Sequence, residues 1–399
     1  MKALSRDSRK FIQLQVLFGG MNAILTLFVN TFLLNAFGSF SSEVLLYNGI
    51  MAFAQPFSMF FAIKLSEYKD ALFSQRVGFV FYGVALVILC VFGEKVSALY
   101  PIFAVILSFG AGFYYSAYSG QMLYYTNDSN RDLIAGALGL LSSVIAILLP
   151  LLSGVILSSF GATIGYTIVF GISALLAIFA LFTNRHLPML PKHLKEPALR
   201  KVCKTVLSSS NGRLIMIANC LSNCRGFTIP IFVTLLFYNL TPDELLISIN
   251  STIGYVVALL SSFIYGAFIK SKNRVKFSII AAIVVTIPVI FMLFGLNIVM
   301  IMIFSAVHGF FNIFNATPVL NTHFKVMEEL DLNCEYGAEV HLVREVFVSL
   351  GRILGLGMVF VMPQNNMGAV IVLVAMSVFE LINSAILHRI GKNPIKKYV

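Results

Sequence analysis

Long apolar runs separated by short polar gaps constrain this chain more than any other feature. A helix needs about 20 apolar residues to cross the hydrocarbon core of a bilayer, and such runs fall near 11–37, 43–65, 76–98 and 100–124. Eight more follow near 133–157, 161–183, 212–238, 245–269, 276–296, 298–322, 339–361 and 367–389, the eleventh opening on polar residues. Of the 399 residues 58% are hydrophobic and 11% charged. A soluble core of this length could not bury that much apolar surface, so lipid has to be the solvent. The expected fold is an all-α membrane protein with twelve transmembrane helices.

The net charge of +11 would suit a nucleic-acid partner only if the basic residues shared one soluble face. Instead they sit in the gaps between apolar runs, as membrane topology requires. With both termini placed in the cytoplasm, Lys95 is the one basic residue left outside, and Arg225 and Arg352 lie mid-span. Every other Lys and Arg of the 28 then falls inside or at the inner interface, while outer loops carry Glu43, Glu94, Asp243 and Glu244. This predicts a multi-pass protein of the cell (plasma or inner) membrane with no nucleic-acid partner. The basic start, Met1 to Lys10, resembles a secretory signal, but its apolar run continues to about residue 37 and reads as the first span.

The pattern breaks once, between spans six and seven, where Arg185, Lys192, Lys195, Arg200, Lys201 and Lys204 gather. This divides the chain into an N-terminal six-helix half at 1–183, a cytoplasmic basic linker at 184–211 and a C-terminal half at 212–399. Pro188, Pro191 and Pro197 argue against one helix through the joint. Leu194 to Val206 could form a short amphipathic helix on the inner membrane face, but a solvated basic linker held near anionic lipids is the favoured reading. Of the five cysteines, Cys220 and Cys224 stand one turn apart and read as small packing residues; no spacing suggests a zinc site or a disulfide framework.

Twelve spans in a six-plus-six arrangement split by a basic loop resemble the major facilitator superfamily across nearly the whole chain. After span four, Asn130-Arg131-Asp132-Leu133-Ile134-Ala135-Gly136 is similar to that family's Arg-then-Gly entry into helix five. Pro150 and Gly154 match two positions of its antiporter Gly-Pro-x-x-Gly-Gly motif, with Leu149 and Ser153 in place of other glycines. The loop between spans two and three reads Ala62-Ile-Lys-Leu-Ser66-Glu67-Tyr68-Lys69-Asp70 where the family has Gly-x-x-x-Asp-Arg-x-Gly-Arg. Its counterpart after span eight keeps Gly266 and Arg274 but has Lys270 at the acidic position. The resemblance implies two six-helix bundles, with helices 1, 4, 7 and 10 around a central cavity.

Three of those four helices carry polar residues at helical spacing. Span one aligns Gln15, Asn22, Thr26 and Asn30; span four aligns Tyr114, Tyr118, Gln121 and Tyr125, with Tyr115 and Ser119 beside them; span ten has His308, Asn312 and Asn315. Amides inside lipid must find partners, so such stripes line a wet cavity or join helices by hydrogen bonds. The cavity is favoured here, and Tyr124 and Tyr125 read as interface anchors.

Charges deep in a span are rarer, because an Arg at the bilayer centre costs about 2.5–3.5 kcal/mol even on the lenient insertion scale. Arg225 sits near the middle of span seven beside Asn223, Arg352 lies deep in span eleven, and Glu380 is central in span twelve. Span eleven also aligns His341, Glu345 and Ser349 with Arg352. Either these charges pair within the bundle, Glu345 or Glu380 neutralising an Arg, or Arg225 and Arg352 grip an anionic metabolite or lipid-linked headgroup. Glu345, Glu380 and His308 are the candidate proton carriers.

The sequence carries no Walker loop, no metal-binding His pair and no nucleophile elbow, so no enzymatic activity and no cofactor are expected. The function expected is secondary active transport of a small or amphipathic organic solute, as proton-coupled export. The alternatives are the anion carrier and a transporter-like sensor or assembly partner that moves nothing.

Overall fold

A computed structural model describes residues 5–37, 42–125, 131–188, 199–269, 273–332, 336–362 and 366–392. Asn130, Lys192, Lys195, Pro191, Pro197, Lys270 and Cys334 lie outside the described residues, as do the side chains of Glu67, Glu94, Ser119, Tyr124, Arg131 and Asp132. The described residues are helical almost throughout and form two compact units.

The first unit comprises Met1–Glu196 and Thr241–Thr252. It contains α1 (Arg6–Phe37), α2 (Ser42–Tyr68), α3 (Ala71–Phe92), α4 (Tyr100–Tyr125) and α5 (Arg131–Arg185). A straight helix of α5's 55 residues would run about 80 Å, against a hydrocarbon core of about 30 Å. Gly161 resolves the mismatch: at φ 72° and ψ 169° it leaves the helical region, a conformation open to glycine and strained for other residues. Beyond it Gly165 lies so close to the Leu157 backbone that a Cβ would meet the Leu157 Cα at 2.9 Å. The chain therefore turns back on itself, and α5 supplies two spans, split where the sequence places the gap between 157 and 161. Within the unit α1 lies along α5, and α4 along both α2 and α3.

The second unit comprises Pro197–Leu240 and Ile253–Val399. Its elements are α6 (Leu199–Ser208), α7 (Ser210–Leu240), the greater part of α8 (Glu244–Phe268), α9 (Arg274–Phe291), α10 (Ile298–Glu329), α11 (Gly337–Val361) and α12 (Asn366–Lys392). Helix α7 is the hub, flanked by α10, α11 and α12. Its closest neighbour is α11, whose Gly351 and Gly355 leave no room for a Cβ against the carbonyls of Cys220 and Cys224. Small residues four apart allow this approach, the usual route to tight helix pairs in lipid. The contact is made by the cysteine backbones, and Cys224 is buried while Cys220 is half-buried.

Ten described helices are long and apolar enough to cross a membrane, with α5 counted once and α11 not among them. Counting both limbs of α5 and adding α11 gives the twelve spans. Large apolar side chains such as Phe53, Phe57, Val84, Leu260 and Phe263 face outward, as lipid requires.

The linker departs from expectation. Leu199–Ser208 is helical, and its apolar face is buried within the second unit. Val202 and Val206 are fully buried in a core shared with Ile215, Val319, Val326, Tyr336 and Val343. Lys201 donates to the Tyr336 hydroxyl at 3.0 Å and lies over its ring. The physical reason is period: Val202, Val206 and Leu199 repeat at helical spacing, and burying such a stripe against α7 and α11 removes it from water.

Candidate polar and charged sites within the two units

The buried polar side chains of the first unit are neutral, and several amides and a phenol among them are tied to one another. Gln121 of α4 accepts from Gln15 of α1 at 3.3 Å and from Gln75 of α3 at 3.2 Å. Asn184 of α5 donates to Gln75 at 2.6 Å and accepts from Arg76 at 3.0 Å, and Arg76 reaches Asp70 at 3.9 Å. The Tyr114 hydroxyl closes on the Gln15 carbonyl oxygen. Four helices are thereby joined by hydrogen bonds that lipid could not replace.

The stripe on α1 and α4 therefore divides. Gln15, Gln121, Tyr114 and Asn30 are buried and bonded inside the unit, Asn30 accepting from Asn48 of α2 at 2.8 Å and donating to the Thr26 carbonyl. Tyr125 donates to the Pro188 carbonyl at 2.7 Å. By contrast Thr26 is exposed, Asn22 half-buried, and Tyr118 half-buried against the rings of Phe11 and Tyr114. Gln75, Asn48 and Asn184 were missed in the sequence because they sit away from the aligned stripes.

Two charge pairs lie inside the second unit. Arg225 of α7 faces Glu380 of α12 at 3.7 Å, and both are about 2% exposed. Asn315 of α10 completes the arrangement. With its amide turned to satisfy both ends, its oxygen accepts from Arg225 Nη1 at 3.1 Å and its nitrogen donates to the Ser278 carbonyl at 3.0 Å. Ser278 meets Ser384 of α12 at 2.7 Å. Several polar atoms around the pair have no partner among the described residues: Arg225 Nη2, Glu380 Oε1, His308 Nε2 and both ends of the Asn383 amide.

Within α11, Arg352 donates to Glu345 at 2.9 Å, and its guanidinium lies over the Phe227 ring at 5.1 Å. The sequence identified these four charged residues and left open which Arg meets which Glu; the facing of α7 and α12 decides one pair, and a shared face of α11 the other. His308 is half-buried, Asn312 exposed, and Asn223 half-buried with its amide on the Asn219 carbonyl at 3.0 Å. A third arginine, Arg344, which the charge pattern assigns to the inner interface, points into the unit and donates from Nε to Asn219 at 2.8 Å. No group of three or more His, Cys, Asp or Glu among the described residues could hold a metal ion.

Twelve spans, with charge pairs held inside one unit and amide networks inside the other, define a polytopic α-helical membrane protein. The profile of the Major Facilitator Superfamily matches residues 12–356, and the chain belongs to that family. Solved structures share the fold. The nucleoside transporter NupG superimposes with a TM-score of 0.69 at 14% identity, covering 98% of this chain and 100% of that one. A bacterial homologue of the iron transporter ferroportin, in an inward-facing state, gives 0.68 at 11% identity over 97% and 99%. The fucose:proton symporter FucP of E. coli, as its N162A variant, gives 0.66 at 12% identity over 95% and 98%. Among sequences, the uncharacterized protein YqgE of Bacillus subtilis (strain 168) is 23% identical over 84% of this chain and 77% of its own length. An uncharacterized Geobacillus stearothermophilus protein from the sodM 3' region is 29% identical over 36% of this chain and 66% of its own.

Proposed function

We propose that the chain is a proton-coupled secondary transporter that exports a small or amphipathic organic solute by alternating access, with Glu380 as the proton acceptor. The Arg225–Glu380 contact carries this reading: a carboxylate and a guanidinium 3.7 Å apart, both about 2% exposed, on two different helices. A buried pair is stable only while both charges are present. Protonating Glu380 removes one of them and leaves Arg225 with Asn315 alone. The protonation state thus biases how α7 and α12 pack, which is what coupling a proton to a conformational equilibrium requires.

Export is supported by Pro150 and Gly154, which keep the antiporter spacing inside α5. The halves are taken as 1–183 and 212–399, joined by the cytoplasmic stretch 184–211. The reading in which Arg225 and Arg352 grip an anionic solute has less support, since each guanidinium already faces a carboxylate.

The test uses proteoliposomes loaded with a pH dye and offered ethidium or carboxyfluorescein. The wild type should concentrate one of them with matching proton flux. Glu380→Gln should abolish uphill transport while counterflow exchange continues. Uphill transport at the wild-type rate by Glu380→Gln would remove Glu380 from the mechanism, and a wild type that moves neither dye nor protons would favour a sensor or assembly role.

A further inference from the structure

Resting on the transport reading above and narrowing its solute, we propose that Arg344 is an oxyanion site, binding the carboxylate or phosphate of a solute or of a lipid headgroup. Of the four arginines within α7 and α11, Arg225 and Arg352 have carboxylates at 3.7 and 2.9 Å, and Arg213 donates to the Leu207 and Ser208 carbonyls. Arg344 has no ion pair among the described residues, and the adjacent Glu345 is engaged by Arg352. It is the eighth residue of α11, about 10 Å along the helix axis from its start.

The side chain is aimed and held. Its Nε donates to Asn219 Oδ1 at 2.8 Å, while the Asn219 nitrogen donates to the Ile215 carbonyl at 2.8 Å and lies 3.4 Å from His323 Nδ1. With its nitrogen fixed by those two acceptors, Asn219 can present only its oxygen to the guanidinium. Asn219 and His323 are 0% and 2% exposed, so this support is built into the unit rather than borrowed from solvent. One edge of the guanidinium is thereby satisfied, and its terminal nitrogens make no hydrogen bond among the described residues.

An Arg that merely reached for the membrane surface would extend away from the bundle; this one turns inward to α7. The surrounding charges also favour an anion. On α11, Arg344 and Arg352 together set two positive charges against the carboxylate of Glu345. Two terminal nitrogens in one plane suit two oxygens of a carboxylate or phosphate, which an ammonium group cannot match.

The test needs neither a gradient nor Glu380, so it fails or succeeds apart from the coupling proposal. The full chain is placed in phosphatidylcholine nanodiscs, and modification of Arg344 by phenylglyoxal is followed by peptide mass. Inorganic phosphate or succinate, compared with chloride at equal ionic strength, should slow wild-type modification about fivefold or more. Thermal-shift titration should show the same anions binding at least about tenfold more weakly to Arg344→Lys, with binding lost in Arg344→Gln. Asn219→Ala should modify faster and bind more weakly, marking Asn219 as a positioning residue. If protection appears only when phosphatidylglycerol replaces phosphatidylcholine, the site stands and its occupant is a headgroup. No protection by phosphate, succinate or phosphatidylglycerol, or equal binding by Arg344→Lys, would overturn it.

Discussion

A buried charge is tolerated only with its partner, and this makes Arg225 and Glu380 separable by experiment. Replacing Arg225 by Ala leaves Glu380 unpaired at 2% exposure, which should cost about 3–5 kcal/mol. The double variant Arg225→Ala with Glu380→Ala removes both charges and should recover most of that loss. Thermal unfolding in one detergent, run side by side, reads the difference; a double variant no more stable than the single would mean that the pair is not the relevant contact. The sequence singled out both residues because charges within spans are rare, but it could not pair them. Pairing depends on which helices face each other, and α7 has α10, α11 and α12 all within reach. The same limit hid Arg344, whose place near the start of a span looks like an interface residue until its side chain is seen turning toward Asn219.

At the level of elements, spans were legible because lipid sets a minimum apolar length for a crossing helix, and even the break in α5 falls at the gap between the apolar runs 133–157 and 161–183. The amide network of the first unit was half legible. Gln15, Tyr114 and Gln121 align on two helices, whereas Gln75 and Asn184 are single polar residues whose role appears only when α3 and α5 meet α4. The α6 segment was misjudged because its basic residues outweigh two valines in composition, although those valines are fully buried. Val202→Asp should therefore release α6 from the second unit. Hydrogen exchange across residues 199–208 should rise by at least about tenfold, while the amides of α7 near Arg225 stay protected. Unchanged protection in α6 would show that its docking does not depend on that face.

For the whole molecule, the scarcity of outer basic residues predicts both termini and the 184–211 segment on the cytoplasmic side. In a background without native cysteines, an impermeant thiol reagent added outside intact cells should label a cysteine at Asn239 and spare one at Lys195; the reverse result would invert the topology. The composition of α11 bears on how the molecule is made. At 25 residues it is long enough to cross a membrane, yet it is not among the described helices apolar enough to do so, for it carries Glu339, Arg344, Glu345 and Arg352. Yet its glycines seat it against α7, which is synthesised more than a hundred residues earlier. The charges of α11 make partition into lipid more costly than for its neighbours. Its seat on α7, where Gly351 and Gly355 lie against the Cys220 and Cys224 carbonyls, offsets part of that cost. A bulky residue at Gly351 should then be felt first as a defect of biogenesis, with α11 left outside the bilayer in chains that are still being made.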